Sequence, residues 1–186
     1  LILYTADCVG NAKNCKYPRK AVVTSADELQ DAVSTDHVCA QYQGSYRSVD
    51  NFISSNVVVM DCDNDHSDDP KDWVYPLDVV MAFPEVFLLV SYSRNNMKVK
   101  NGKAARPKFH VYFPIPTMTD GKAYAELKKR IQEFFPYFDA DALGEARFLY
   151  GTDSPDIEVY DGVSNVDDFI DHDEFADFDD STEEIS

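Results

Sequence analysis

The segment NVVVMDCDNDHSDD, residues 56–69, is the most informative part of the chain, because a strongly apolar run ends there in a row of acids. The four residues before Asp61 predict a strand buried on both faces, since β-branched side chains suit a pleated sheet and no polar residue interrupts them. The twofold period of a strand then places Asp61 and Asp63 on one face and Cys62 on the other. Two carboxylates so close together resist ionising, so the pair either shares a proton or holds a metal ion.

The charge of the chain is unevenly distributed. The formal net charge is −17, but residues 153–186 hold 14 of the 34 acids and none of the 17 Lys and Arg, which leaves 20 acids against 17 bases in residues 1–152. Residues 86–119 contain no acid at all. This acid-free stretch carries six cations, here called the basic strip: Arg94, Lys98, Lys100, Lys103, Arg106 and Lys108. A local strip of this kind neutralises phosphates whatever the total charge.

Length and cysteine usage bound the class of protein. With 186 residues, 44% of them apolar, the chain suits one domain with its own core. The four cysteines form no C-x-x-C pair, so we expect free thiols in a reducing, cytoplasmic compartment. The opening LILYT is too short for a membrane span or signal peptide, and both ends suggest the catalytic piece of a longer protein.

Alternating strands and helices are predicted along the body of the chain. The strands are expected at residues 1–5, 20–24, 57–63, 85–93, 107–115 and 147–150. Ser25 and Glu28 predict a capping box for a first helix. A second helix is predicted between Asp120 and Pro136, with its apolar stripe inside and Lys128, Lys129 and Arg130 outside. Residues 73–83 are ambiguous between helix and loop. Residues 1–152 form the predicted domain, and 153–186 a loosely packed acidic tail or the start of a linker.

Three motifs carry the functional prediction. They are VVVMDCD at 57–63, KFHVYF at 108–113 and FDADALGEARFLYG at 138–151. In order and spacing they resemble the archaeo-eukaryotic primase superfamily, specifically primase-polymerases of bacterial mobile elements and phages, over residues 40–151. One position departs from the family pattern, because the serine of the second motif is Lys108 here. Lysine is itself a competent phosphate-binding residue.

The resemblance implies a fold and an activity. The fold is α/β in the mixed, α+β sense: a primase catalytic core with an RRM-like mixed or antiparallel sheet, flanking helices and an N-terminal αβ lobe. The activity is template-directed DNA synthesis from nucleoside triphosphates, as primase, polymerase or both, in replication or priming. The implied partners are a single-stranded DNA template and primer, with a helicase or helical priming domain elsewhere in the full-length protein.

The resemblance also assigns roles to residues. Asp61, Asp63 and Asp139 would hold two Mg²⁺ or Mn²⁺ ions, with Asp141 as the runner-up for the third ligand, and His110 would contact the triphosphate. Contacts to triphosphate or template backbone would come from Arg94, Arg106, Lys108 and Arg147. Weaker candidates for nucleic-acid contact are Arg47, Lys98, Lys100 and Lys103.

Other classes of function explain part of the pattern. A calcium-binding loop fails, because His66 stands at the required glycine and Asp72 at the required glutamate. A haloacid-dehalogenase-like phosphatase, with Asp61 as nucleophile, is the enzymatic alternative, although it leaves His110 without a role. A non-catalytic module for nucleic-acid or protein binding is the third possibility. The charge split also suggests an autoinhibitory tail, in which residues 153–186 occupy the basic strip.

Overall fold

The computed structural model describes residues 1–179, and the side chains of residues 1–172. The strands are β1 (Ile2–Thr5), β2 (Arg19–Val22), β3 (His37–Val38), β4 (Ala40–Tyr42), β5 (Phe52–Cys62), β6 (Leu88–Tyr92), β7 (Phe109–Met118), β8 (Phe148–Leu149) and β9 (Ile157–Tyr160). The helices are α1 (Ala26–Ala32), α2 (Pro76–Ala82), α3 (Gly121–Phe134) and α4 (Val166–Asp179). The chain is therefore α+β, as predicted.

Two antiparallel sheets organise these elements. The larger sheet has the order β4-β5-β7-β6-β9, and the smaller has the order β2-β1-β3-β8. Apolar residues from the two sheets and α1 form one core layer, which includes Leu3, Leu29, Val59 and Tyr112. The helices α2, α3 and α4 cover the opposite face of the larger sheet. The larger sheet is therefore covered on both faces.

β5 is the central strand of this arrangement, and both of its faces are buried. Val58, Met60 and Cys62 belong to the core under the helices, whereas Val57 and Val59 belong to the core between the sheets. An uninterrupted apolar run suits this position, because neither face meets water. The strand prediction for residues 57–62 is confirmed.

The smaller sheet and α1 form the N-terminal lobe that the sequence predicts, with one addition. β8 joins this sheet at β3, from more than 100 residues further along the chain. α1 begins after Ser25, whose side chain accepts the Glu28 backbone N–H at 3.2 Å. The Glu28 carboxylate accepts from the Thr24 backbone N–H, one residue before the predicted partner.

The helix-covered face has an aromatic centre. Phe83, just after α2, lies with its ring centroid 5.1 to 6.3 Å from those of Phe113, Phe134, Phe135, Phe138 and Phe169. The ambiguous segment 73–83 resolves as a helix that starts at Pro76, where a missing N–H costs nothing. Ring pairs at these distances add attraction to the burial of apolar area.

The prediction of a loosely packed tail from residue 153 is wrong for most of the described part. β9 pairs with β6 as the edge strand of the larger sheet, and Val166 and Ile170 of α4 are buried under that sheet. β9 packs on β6, and α4 packs on α3 and β7. An edge strand needs only one partner, so its scattered apolar residues suffice. Residues 180–186 lie outside the described residues.

The cysteines and the helices bear on two further expectations. All four cysteines are free thiols, with Cys39 and Cys62 buried and Cys8 and Cys15 half-buried. In the described chain, no helix combines the length and the apolar character needed to cross a lipid bilayer.

Candidate active site

A row of polar residues crosses one end of the larger sheet. Asp61 on β5 is paired with His110 on β7, which is paired with Ser91 on β6. Directly paired residues of neighbouring strands project to the same face. That face also carries Val59 and Tyr112, so it is the face towards the smaller sheet. Asp61 thus ends a buried strand inside the space between the two sheets, with only 3% of its surface exposed.

A loop after α3 brings a third carboxylate to this row. The Asp139 backbone N–H donates to the Asp61 backbone carbonyl at 2.9 Å, which fixes the loop to the end of β5. Phe138, next to it, is buried in the aromatic core. Asp141 is exposed, and its backbone N–H donates to the Asp139 carboxylate at 2.9 Å. The loop therefore directs Asp139, and not Asp141, to the row.

Asp61, Asp63 and Asp139 form a compact oxygen cluster. Each offers a carboxylate oxygen, and these oxygens lie within 4.8 Å of one another. Hard divalent cations prefer such ligands. The Oδ1 atom of Asp61 is buried and has no hydrogen-bond partner, which is costly for a carboxylate unless a cation or donor satisfies it. The cluster therefore has the composition and the unsatisfied oxygen of a site for a divalent metal ion.

Arg147 and His110 flank the cluster beside Asp61. Arg147 Nη2 donates to Asp61 Oδ2 at 2.6 Å, and His110 Nε2 lies 3.9 Å from the same oxygen. Burial acts to raise the pKa of Asp61, but His110 and Arg147 outweigh it and hold the pKa below its usual value. Burial and the Asp61 charge together raise the pKa of Asp63. The two carboxylates thus have unequal proton affinities.

Contacts to backbone carbonyls hold the loop that carries Arg147. Tyr42 Oη donates to the Glu145 carbonyl, and Arg47 Nη1 donates to the Ala146 carbonyl at 3.0 Å. The Arg47 guanidinium also lies 4.5 Å from the centroid of the Phe148 ring. Arg47, predicted as a nucleic-acid contact, is thus engaged in positioning the loop before Arg147.

Lys128 lies near the site and is buried, contrary to the prediction from the sequence. It was expected on the outer face of α3, but it is 1% exposed, and its Nζ donates to the Ala142 carbonyl at 3.0 Å. Burial lowers its pKa to about 8. The signal was present, because Lys128 is four residues after Tyr124 and three before Ile131, within the apolar stripe. A lysine at that spacing can be buried when its Nζ has a backbone carbonyl to donate to, as Lys128 has in Ala142.

A cavity of about 220 Å³ opens beside the cluster. Its lining includes Asp61, Asp63, Ser93, Arg94, Lys100, His110, Arg147 and Tyr150. The Arg94 guanidinium lies 4.1 Å from the centroid of the Tyr150 ring, so its cation is held at the cavity wall. Two larger cavities, of about 400 and 490 Å³, have no cluster residue in their lining. The 220 Å³ cavity, by contrast, is lined by two carboxylates of the cluster together with His110 and Arg147.

A second cavity, of about 120 Å³, continues from the first along the basic strip. Asp63 and Lys100 line both cavities, and Lys98, Lys103 and Lys108 line the second. Lys98, Lys100 and Lys103 are exposed. Asp65 lies 3.7 Å from Lys103 Nζ and 3.5 Å from Lys108 Nζ. The strip therefore presents cations next to the acidic cluster, with Asp65 as their local counter-charge.

Arg106, which was predicted to contact phosphate, is buried and paired with groups of the protein itself. It is 1% exposed, and its guanidinium donates to the carbonyls of Asn64 and Ser67 and to the Asp68 carboxylate at 2.8 to 2.9 Å. Its Nε donates to the Ala104 carbonyl. A fork of donors used in this way fixes the loop after β5. Arg106 thus holds the loop that follows the acidic end of β5.

Asp36 and His37 support the site, and they belong to no motif that would have identified them beforehand. The fully buried Asp36 accepts backbone N–H groups from Gly10, Asn11 and Gly151 at 2.7 to 2.8 Å, which joins three segments. His37 Nε2 lies 2.7 Å from Tyr112 Oη between the sheets. Burial lowers the pKa of His37 to about 4, so the ring is neutral at neutral pH.

Comparison with known proteins gives one fold likeness. No protein-family model matches the chain, and no curated protein matches it. Among solved structures, the chain is similar to the AEP domain of the primase-polymerase (PrimPol) of cyanophage S-2L, with a TM-score of 0.49 and 15% identity over 91% of this chain and 87% of that one. At these values the likeness carries no inference about activity, so the case for function rests on the side chains.

Proposed function

We propose that this domain is a nucleotidyltransferase of the primase-polymerase type, which joins nucleotides on a DNA template. The observation that carries the proposal is the convergence of Asp61, Asp63 and Asp139 within 4.8 Å, beside His110 and the basic strip. Carboxylates for divalent ions next to cations for phosphates are what phosphoryl chemistry requires. A purely structural acidic pair would not need a third carboxylate from a distant loop.

The acidic cluster would act on the reacting hydroxyl. Two Mg²⁺ or Mn²⁺ ions held there would lower the pKa of a primer 3′-hydroxyl and offset the charge on the triphosphate. Asp61, whose pKa His110 and Arg147 hold below its usual value, is the ligand best prepared for this role. Asp139 is oriented by its own backbone contact to Asp61. The protein thus contributes position and charge, with no covalent intermediate.

The cationic groups would receive the triphosphate. His110 lies in the cavity next to Asp61, and Lys108 lies beside the second cavity in place of the family serine. Arg94 and Arg147 also line the first cavity. Lys98, Lys100 and Lys103, exposed on the strip, would contact the nucleic-acid backbone without reading its sequence. A helicase or helical domain of the full-length protein is a further proposed partner.

Primer extension tests the proposal directly. The assay uses a primed single-stranded template, labelled dNTPs or NTPs and Mn²⁺ or Mg²⁺, with wild type, Asp61→Asn, His110→Ala and Asp139→Asn. Asp141→Asn is the matched control, because Asp141 lies two residues from Asp139 but is exposed and outside the cluster. We expect metal-dependent extension that is lost in the first three variants and retained in the control.

Other outcomes would identify the competing functions. Release of phosphate from small phosphoesters that requires Asp61, without extension, would point to a phosphatase with Asp61 as nucleophile. Silence in both assays, together with DNA binding that Asp61→Asn leaves unchanged, would point to a binding module. Equal loss of extension in Asp139→Asn and Asp141→Asn would contradict the assignment of the third carboxylate.

A further inference from the structure

Arg147 is paired with a carboxylate that the proposed chemistry assigns to a metal ion. Its Nη2 lies 2.6 Å from Asp61 Oδ2, which is the distance of a strong charge-assisted hydrogen bond. Asp61 belongs to the three-carboxylate cluster. A guanidinium at this distance would lie close to any divalent ion bound by the same carboxylate, and the two cations would repel each other.

The two oxygens of Asp61 are in opposite states. Oδ2 is bound by Arg147 and approached by His110, whereas Oδ1 is buried without any hydrogen-bond partner. A carboxylate that served only as a structural ion-pair partner would normally have both oxygens satisfied. The half-satisfied state indicates a position that is prepared for a second cation.

The Arg147 side chain is free to change partners, although its backbone is held. The carbonyls of Glu145 and Ala146, just before it, are fixed by Tyr42 and Arg47, and β8 follows at once. The side chain itself is 35% exposed, and its Nε has no hydrogen-bond partner. It lines the cavity that also contains Arg94 and Lys100. A rotation about its side-chain bonds would move the guanidinium within that cavity while the loop stays in place.

We propose that Arg147 is the counter-cation of the metal-free site, which leaves Asp61 when a divalent ion binds and then contacts a phosphate oxygen of the incoming nucleotide. The inference rests on the proposed function and extends it to the order of binding. While Arg147 holds Asp61, it is withheld from the nucleotide. The metal ion releases it, so metal and nucleotide each favour the binding of the other.

Mn²⁺ binding to the nucleotide-free protein tests the exchange without any reliance on activity. Electron paramagnetic resonance measures free Mn²⁺ during titration of the whole 186-residue chain at neutral pH. We expect Arg147→Met to bind Mn²⁺ about tenfold more tightly than wild type, within the usual range for coupled sites. Arg147→Lys, which keeps a cation at the position, should remain closer to wild type.

Arg94→Met is the matched control for general electrostatics. Arg94 lines the same cavity, but its guanidinium stacks on Tyr150 and is not paired with the cluster. We expect its Mn²⁺ affinity to stay within about twofold of wild type, since its charge is screened by solvent. Equal tightening in Arg94→Met and Arg147→Met would overturn the exchange, because it would reduce the effect to net charge. Unchanged or weaker binding in Arg147→Met, in a variant with wild-type circular dichroism, would also overturn it.

Asp139→Asn separates this inference from the proposed function. If Mn²⁺ binds wild type and Asp139→Asn with the same affinity, the metal does not bind at the cluster, and the proposed function fails together with the exchange. If Asp139→Asn weakens Mn²⁺ binding but Arg147→Met does not strengthen it, the metal site stands and the exchange alone is wrong.

Discussion

The two faces of the β5–β7 pair differ in what they contact, although alternate residues of the same two strands form them. On the helix side, Met60 and Cys62 of β5 pack with Phe109 and Val111 of β7 in a dry core. On the other side, Asp61 pairs with His110 at the edge of a polar cavity. At this end of the strand pair, the side chains on one face pack in the core and those on the other face carry the polar groups of the site.

The difference teaches how a buried carboxylate is kept in place. The helix face fixes the backbone of β5 through apolar packing, so Asp61 needs no contact of its own for orientation. Its charge is maintained by Arg147 and His110, which come from separate elements. Preorganised charge of this kind is the larger part of catalysis in many enzymes. Changes on the two faces should therefore separate activity from stability.

The largest expected effect is on activity, from the polar face. Asp61→Asn should lower primer extension about 10³-fold or more, since it removes a metal-ligating charge worth several kcal/mol in the transition state. The adjacent Cys62→Ala, on the dry face, should retain extension and lose about 1 kcal/mol of unfolding free energy. Extension assays and urea denaturation on both variants measure this. Comparable losses of activity in the two neighbours would remove the distinction between the faces.

A second prediction tests the dry face at its aromatic centre. Phe83→Ala should lower the free energy of unfolding by about 3–5 kcal/mol, because it leaves a cavity among five other rings. Chemical denaturation measures the loss. The fraction that remains folded at low temperature should still bind Mn²⁺ with wild-type affinity. A variant that is stable but no longer binds Mn²⁺ would show that the two faces are coupled.

The third prediction concerns Lys128, a buried lysine whose lowered pKa should make the free energy of unfolding depend on pH. Its pKa is lowered from 10.5 to about 8, so the folded protein releases a proton that the unfolded chain still holds. The free energy of unfolding should therefore rise with pH between about 8 and 10.5, by about 3 kcal/mol in total, through Lys128 alone. Lys128→Met should lack this rise.

The measurement is the difference in unfolding free energy between wild type and variant as a function of pH. Subtraction matters because burial raises the pKa values of Tyr112 and Tyr124, which lowers stability at high pH in both proteins. Lys129→Met, at the exposed neighbouring position, is the control and should follow wild type. A difference that does not change with pH would mean that Lys128 keeps its ordinary pKa in the folded protein.

The last prediction concerns Asp65, and the change in nucleotide binding that we expect from it is small. Asp65 competes with phosphates for Lys103 and Lys108, at 3.7 and 3.5 Å. Asp65→Asn should lower the KM for nucleotide about two- to fivefold with little change in kcat, because half-exposed ion pairs contribute at most about 1 kcal/mol. Asp31→Asn, an exposed acid on α1, is the control. A higher KM in Asp65→Asn would instead give Asp65 a role in nucleotide binding.

Local patterns predicted the elements of the site well. The apolar run before Asp61, the alternation through His110 and the helical stripe of α3 each depend on residues a few positions apart, and each is confirmed as an element. The candidate residues Asp61, Asp63, His110 and Asp139 do lie together. Their roles as ligands and catalytic groups stay predictions until metal binding and extension are measured.

The structure departs most from the sequence-based expectations where a residue has a partner far away in the chain. Arg106 was assigned to phosphate but binds carbonyls and a carboxylate about 40 positions earlier. Residues Ile157–Tyr160 were assigned to a tail but pair with β6, 66 to 72 positions earlier. Composition identifies these segments as basic or acidic. It does not contain the geometry that decides between solvent and a buried partner.

Local sequence is enough to establish which side chains share a face at the ends of β5 and β7, because strand alternation is a local property of the backbone. It also determined that a dry face and a charged face would alternate there. Only the tertiary structure decided which cation meets Asp61, since Arg147 reaches it from a loop 86 residues away, held by Tyr42 and Arg47. Such pairing depends on how sheets and loops pack in three dimensions, and burial makes the choice energetically decisive because an unpaired charge there is costly.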